Sequence, residues 1–308
     1  MQQLDETVEK SDAPAMHQTK GVETLLGDPK KAIIKLSIPM IAAVLSHTIY
    51  NLTDAIWVSG KGPASLSAVG FTFPFLFMAM SIANGIGIGS GAAISRRIGA
   101  GDKSSADSVA SHAIVIMLII VFLFTGAMIY SARPLMHLMG AGEALDLAVT
   151  YARIMFLGLI LIFFMQTASA ILRSEGDAKR AMYVMLAGSL INIILDPIFI
   201  YTLGLGVAGA AWATLLSMSI VSLIAFYWLF IEKKTFVSFK FRGFRFDNKI
   251  LADIGKVGVP ASVSQMSMAL MAFSLTKIIA LIGGPDGVAV YTTGWRVSVP
   301  WPPCRCWV

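Results

Sequence analysis

The sequence predicts an all-α integral membrane protein, and three observations carry that prediction. Charged residues make up 14% of the 308 and apolar ones 56%, with a mean hydropathy of +0.74, whereas a soluble domain carries about 25% charged residues. Residues 62–95, 108–132, 154–172 and 197–231 contain no Asp, Glu, Lys or Arg, and a spanning helix needs roughly 20 apolar residues. Basic residues also collect in alternate connections. If the N-terminus lies inside, the inner segments hold fourteen of them (Lys30, Arg96, Arg173 and Arg245 among them), while the outer loops hold Lys61 and Arg133. That asymmetry follows the positive-inside rule. The net charge of +6 is therefore a matter of topology and implies no nucleic-acid partner.

The expected helices follow from the apolar runs: 33–60, 64–94, 108–132, 147–172, 181–203, 206–231, 255–282 and an incomplete eighth from 287. Each must be helical, because an open strand edge leaves backbone groups unsatisfied in hydrocarbon. Residues 1–28 are polar with no apolar core, which excludes a signal peptide and predicts a cytoplasmic tail. Cys304 and Cys306 lie within the last five residues and support neither a disulfide framework nor a metal site.

Segment 232–250 is the longest polar inner connection and divides the chain. Beyond it the opening of the first helix returns. Lys35-Leu36-Ser37-Ile38-Pro39 matches Lys256-Val257-Gly258-Val259-Pro260, 221 residues on, and Gly62-Pro63 returns as Gly284-Pro285 at 222. An even number of helices per repeat gives two bundles of the same orientation, a plan known among transporters. The expected organisation is a first six-helix lobe over 29–231, a link over 232–250, the beginning of a second lobe over 251–297 and an aberrant tail over 298–308. The Pro-Trp-Pro-Pro run at 300–303 cannot continue a helix, so the chain reads as truncated or frameshifted. The run Asn84–Gly91, with glycine at every second position, follows no strand, and its small residues predict close helix packing.

Ionisable groups inside a membrane are costly and mark candidate functional sites. Asp54 lies in the first helix and Asp196 in the fifth. At a rise of about 1.5 Å per residue they sit roughly 9 Å and 11 Å below the outer end, at one level. His47, Tyr50, Asp54 and Trp57 form one helical stripe, and Ser189, Asn192 and Asp196 form another. Thr214 and Tyr151 fall near the same depth. Asp54 and Asp196, with Tyr50, Tyr151, Ser189, Asn192 and Thr214 around them, thus make an oxygen-rich pocket. It suits a proton held by neighbouring buried carboxylates or a hard cation such as Na⁺; no other cofactor is expected. Tyr50, Tyr151, Trp57, His47 and Ser189 are the candidate pocket lining, and Pro39 a candidate bend. Asp196 precedes Pro197 and could instead serve a kink. Arg153 lies about 200° around the helix from Tyr151 and is expected to snorkel outward.

At these residues the sequence resembles the prokaryotic multidrug and toxic compound extrusion (MATE) transporters. The matching stretches are residues 50–57 (YNLTDAIW), 95–102 (SRRIGAGD), 172–177 (LRSEGD), 192–197 (NIILDP) and 206–214 (GVAGAAWAT). They cover six helices in order, and the resemblance continues to near Arg296. It implies twelve helices in two lobes, of which this chain would hold seven or eight, in a multi-pass protein of the cytoplasmic membrane, monomeric at full length. It also implies export of small organic, often cationic compounds against an inward H⁺ or Na⁺ gradient, with Asp54, Asn192, Asp196 and Thr214 as the ion site. A lipid-linked sugar flippase of the same broad superfamily would need an Arg- and Lys-lined cavity, which the sequence lacks. An intramembrane enzyme would need a nucleophile or metal set, and none stands at helical spacing. A non-transporting membrane fragment is the remaining alternative.

Overall fold

The computed structural model describes residues 19, 21–23, 28–232, 235–239 and 244–298; most of the expected tail over 1–28 and the terminal run from 299 lie outside the described residues. Every regular element among the described residues is helical. The long helices are α1 (Pro29–Ser59), α2 (Pro63–Gly99), α3 (Lys103–Leu138), α4 (Leu145–Leu157), α5 (Leu159–Ser174), α6 (Ala178–Pro197), α7 (Gly206–Phe226) and α8 (Asn248–Ser298). Six are long and apolar enough to cross a membrane, and α4 with α5 form one further bent span. The all-α membrane architecture is thus as the composition predicts.

Two differences have physical causes. The expected single helix over 147–172 is broken at Gly158, where its halves meet at 43°. A glycine inside an apolar run reads as helix, yet here it lets α7 press in: a methyl group at Gly158 would stand 2.6 Å from Leu215 Cδ1. Sharp kinks of this kind need such a cause. Second, α2 and α3 run past the apolar stretches to Gly99 and from Lys103, because polar caps continue them. Gly101 (φ 74°) and Gly176 (φ 78°) take the left-handed conformation that ends a helix. The next residue in each case starts another: Asp102 accepts from Ser105 N–H and Asp177 from Arg180 N–H. The break between the two arms of α8 falls at Gly284 (φ 60°, ψ −161°), where the sequence places the loop between its seventh and eighth helices.

α2 is the central helix. Of its most apolar stretch 67% is buried, against 17% for α1, and it packs on α3, α5 and most extensively on α8. α1 lies on α6, and α6 on α7. Outward faces carry large apolar side chains such as Ile33, Ile38, Leu123 and Leu281, each at least 63% exposed, as a lipid surround accommodates. At the end rich in basic residues, the segment after α7 is tied down. Glu175, 2% exposed, accepts the N–H groups of Phe236 (2.9 Å) and Val237 (3.0 Å). Burial pushes its carboxyl up to about 7, against the pull of those two bonds. His112 Nε2 accepts the Asp247 N–H at 3.0 Å.

Candidate functional site

Asp196 is fully buried in the last turn of α6, just before Pro197, after which the backbone passes into a π-helical turn over Ile198–Thr202. Proline supplies no N–H, so the ladder must rearrange here. Gly209 on α7 allows that turn to be approached closely: a methyl there would stand 2.5 Å from the Phe199 carbonyl oxygen. The approach brings α6 and α7 together at Asn192 and Thr214. With the Asn192 amide turned to satisfy both its ends, its nitrogen donates to Asp196 Oδ2 at 2.9 Å and its oxygen lies 3.2 Å from Thr214 Oγ1. Asn192 and Thr214 are 1% and 4% exposed. Three of the four predicted ion-site residues are therefore one connected group.

The fourth, Asp54, is also buried, and its Oδ2 accepts from Arg296 Nη1 at 2.7 Å. Both side chains are 8% exposed. Arg296 also donates to the Asn51 carbonyl at 3.4 Å, while its Nε has no partner among the described residues. Asp54 and Arg296 act electrostatically on Asp196, and the phenols of Tyr50 and Tyr151 lie in the same field. Sequence reasoning missed Arg296. The signal was present, since an arginine within the eighth apolar run is an intramembrane charge that needs a partner.

Beside this group lies a cavity of about 340 Å³. His47, Tyr50, Ser189, Asn192 and Thr214 line it, together with Met80, Met165, Met185 and Met218. His47 is held by Asn51, whose Nδ2 lies 2.9 Å from its Nδ1. Tyr151 is buried but does not line the cavity, and Trp57 sits apart, edge-on to Tyr201. Arg153 points to the exposed side of α4. Helix α1 continues through Pro39. Among the described residues no three His, Cys, Asp or Glu side chains gather as a metal site.

The MatE family profile matches residues 39–198, just over half of the chain. The chain belongs to the MatE family. It is 32% identical over 274 residues to the multidrug export protein MepA of Staphylococcus saprophyticus, covering 87% of this chain and 59% of that protein. A MepA of Staphylococcus aureus is 30% identical over 273 residues with the same coverage. Among solved structures, a transporter of the same superfamily from Pyrococcus furiosus aligns at 50% identity with a TM-score of 0.84, over 92% of this chain and 63% of that one. The outward-facing and inward-facing forms of a multidrug resistance MATE transporter align with TM-scores of 0.84 and 0.79, at 50% and 48% identity. This is a family of membrane transporters, not of enzymes. The chain spans about three-fifths of the length of the relatives it matches.

Proposed function

We propose that this chain carries the ion-coupling site of a multidrug exporter driven by protons, set in the cytoplasmic membrane with its N-terminus inside. The observation that carries the reading is the juxtaposition of two buried acids, one paired with arginine and one not, against a largely apolar cavity. Residues 29–231 form the first of two six-helix lobes, 232–250 the link, and 251–297 the opening of the second.

Asp196 has no Lys or Arg partner among the described residues. An ionised carboxylate so deeply buried needs a proton or a cation to compensate it. A sodium ion would draw on Asp196, Asn192 Oδ1, Thr214 Oγ1 and Asp54. That set is divided here, because Arg296 occupies Asp54. The arrangement fits a proton on Asp196 better than a coordinated cation.

The cavity has the volume of a drug-sized site. Methionine side chains adapt to varied apolar shapes and favour contact with aromatic rings, which suits unrelated planar solutes. His47, Gln166 and Tyr50 supply hydrogen-bonding groups. A cationic solute near Tyr50, Asn192 and Thr214 gains from ionised acids behind that wall. Proton and solute therefore bind antagonistically, and by linkage each weakens the other by the same factor. Alternation between the two, with the lobes rocking, is antiport.

The test is ethidium efflux from proteoliposomes under separately imposed gradients. A pH gradient, acidic on the face opposite the N-terminus, should drive efflux, and a Na⁺ gradient at equal pH should not. Efflux under Na⁺ alone would overturn the choice of ion. Its absence under either gradient, in a protein in which this chain is joined to a complete second lobe, would overturn the exporter reading.

A further inference from the structure

The glycines of the 84–91 run are divided between two neighbours. Gly85 and Gly89 face α8 so closely that an added methyl would stand 2.7 Å from the Gly258 carbonyl oxygen and 2.3 Å from that of Ile254. Gly87 and Gly91 face α5, with Ala170 the nearest neighbour of each. At this level α2 is held between α5 and α8, with the Ser262 side chain and the Gly258 backbone against Gly85 and backbone alone against Gly89 on the α8 side.

At the head of the run, Asn84 reaches both ways. Its Oδ1 accepts from Gln166 Nε2 on α5 at 2.7 Å, and its Nδ2 donates to Gln265 Oε1 on α8 at 3.0 Å. Three half-buried amides on three helices thus form one directed chain, Gln166 to Asn84 to Gln265. Gln166 also lines the 340 Å³ cavity, whereas Asn84 and Gln265 do not.

We propose that the Gln166–Asn84–Gln265 amide chain is a positioning device that couples the wall of the cavity to α8. The inference rests on the reading of that cavity as the solute site. The Gln166 amide nitrogen carries two N–H groups, so it is a solute whose binding turns that amide out of line that takes the donor from Asn84 Oδ1. Asn84 then turns to recover a partner, and its bond to Gln265 turns with it, since an amide oxygen left unpaired between packed helices is costly. Hydrogen bonds in series reinforce one another. The glycine seam offers α8 no side chain at Gly85 or Gly89 to absorb the change. What occupies the cavity at Gln166 is in this way felt on α8.

The experiment uses the purified 308-residue chain and has two arms. The first needs no solute. Gln166→Met and Gln265→Met are combined in a double-mutant cycle, with Asn84 intact and in an Asn84→Leu background. Each single substitution should lower the melting midpoint by about 3 °C, and the pair by about 4 °C instead of the additive value. With Asn84→Leu present the coupling should vanish. The second arm follows maleimide labelling of Ser264→Cys on α8, in a chain whose Cys304 and Cys306 are replaced by serine. Saturating ethidium should change the labelling rate by at least about 5-fold. Gln265→Met should remove that change while leaving ethidium affinity within about 2-fold. Gln265→Glu, which keeps an acceptor for Asn84, should restore it. Additive effects of the pair, or an ethidium response that survives Gln265→Met, overturn the proposal. If ethidium does not bind and the pair is still non-additive, the coupling stands and the solute reading fails.

Discussion

Asp196→Asn should reduce proton-driven ethidium efflux to background while leaving the chain folded. The substitution keeps the shape of the side chain and removes only its capacity to alternate between charged and neutral forms. Because Asp196 is fully buried and no arginine or lysine is paired with it among the described residues, an amide there is no harder to bury than a carboxyl group. The expected change in stability is within about 1 kcal/mol. Downhill ethidium equilibration, which needs no proton, should persist. Efflux at the wild-type rate in Asp196→Asn would remove this residue from the coupling site.

Arg296→Met should have the largest effect on stability. It leaves Asp54 buried without the guanidinium that compensates it, a loss of about 3–5 kcal/mol, read as a fall of about 10 °C in the melting midpoint. The double substitution Asp54→Asn with Arg296→Met removes both charges and should recover most of that loss, because a buried ion pair replaced whole is often nearly neutral. Equal destabilisation in the single and double variants would show that Arg296 acts through packing and that the ion pair contributes little.

The sequence made the helices legible because lipid is a demanding solvent. A run without charge has to be buried in protein or exposed to hydrocarbon, and either way it must satisfy its own backbone. The same cost singled out Asp54 and Asp196, and helical spacing placed Asn192 and Ser189 on the face of Asp196. Tertiary pairing was not legible. Asp54 and Arg296 lie 242 residues apart, and no periodicity along one helix reveals a partner on another. The bend at Gly158 was hidden because its cause, the close approach of Leu215, belongs to a different helix. The amide chain was hidden for a similar reason. Asn84, Gln166 and Gln265 are each unremarkable alone, and only the packing of α2 between α5 and α8 brings them together.

Competition between a proton and a solute through Asp196 should appear as proton release when solute binds. Purified chain is held in weakly buffered solution with a pH-indicating dye, and ethidium is added to saturation. Release of up to about one proton per chain is expected, greatest where Asp196 is protonated beforehand, and none from Asp196→Asn. Saturable ethidium binding with no proton release at any pH, or equal release from the Asp196→Asn chain, would contradict it.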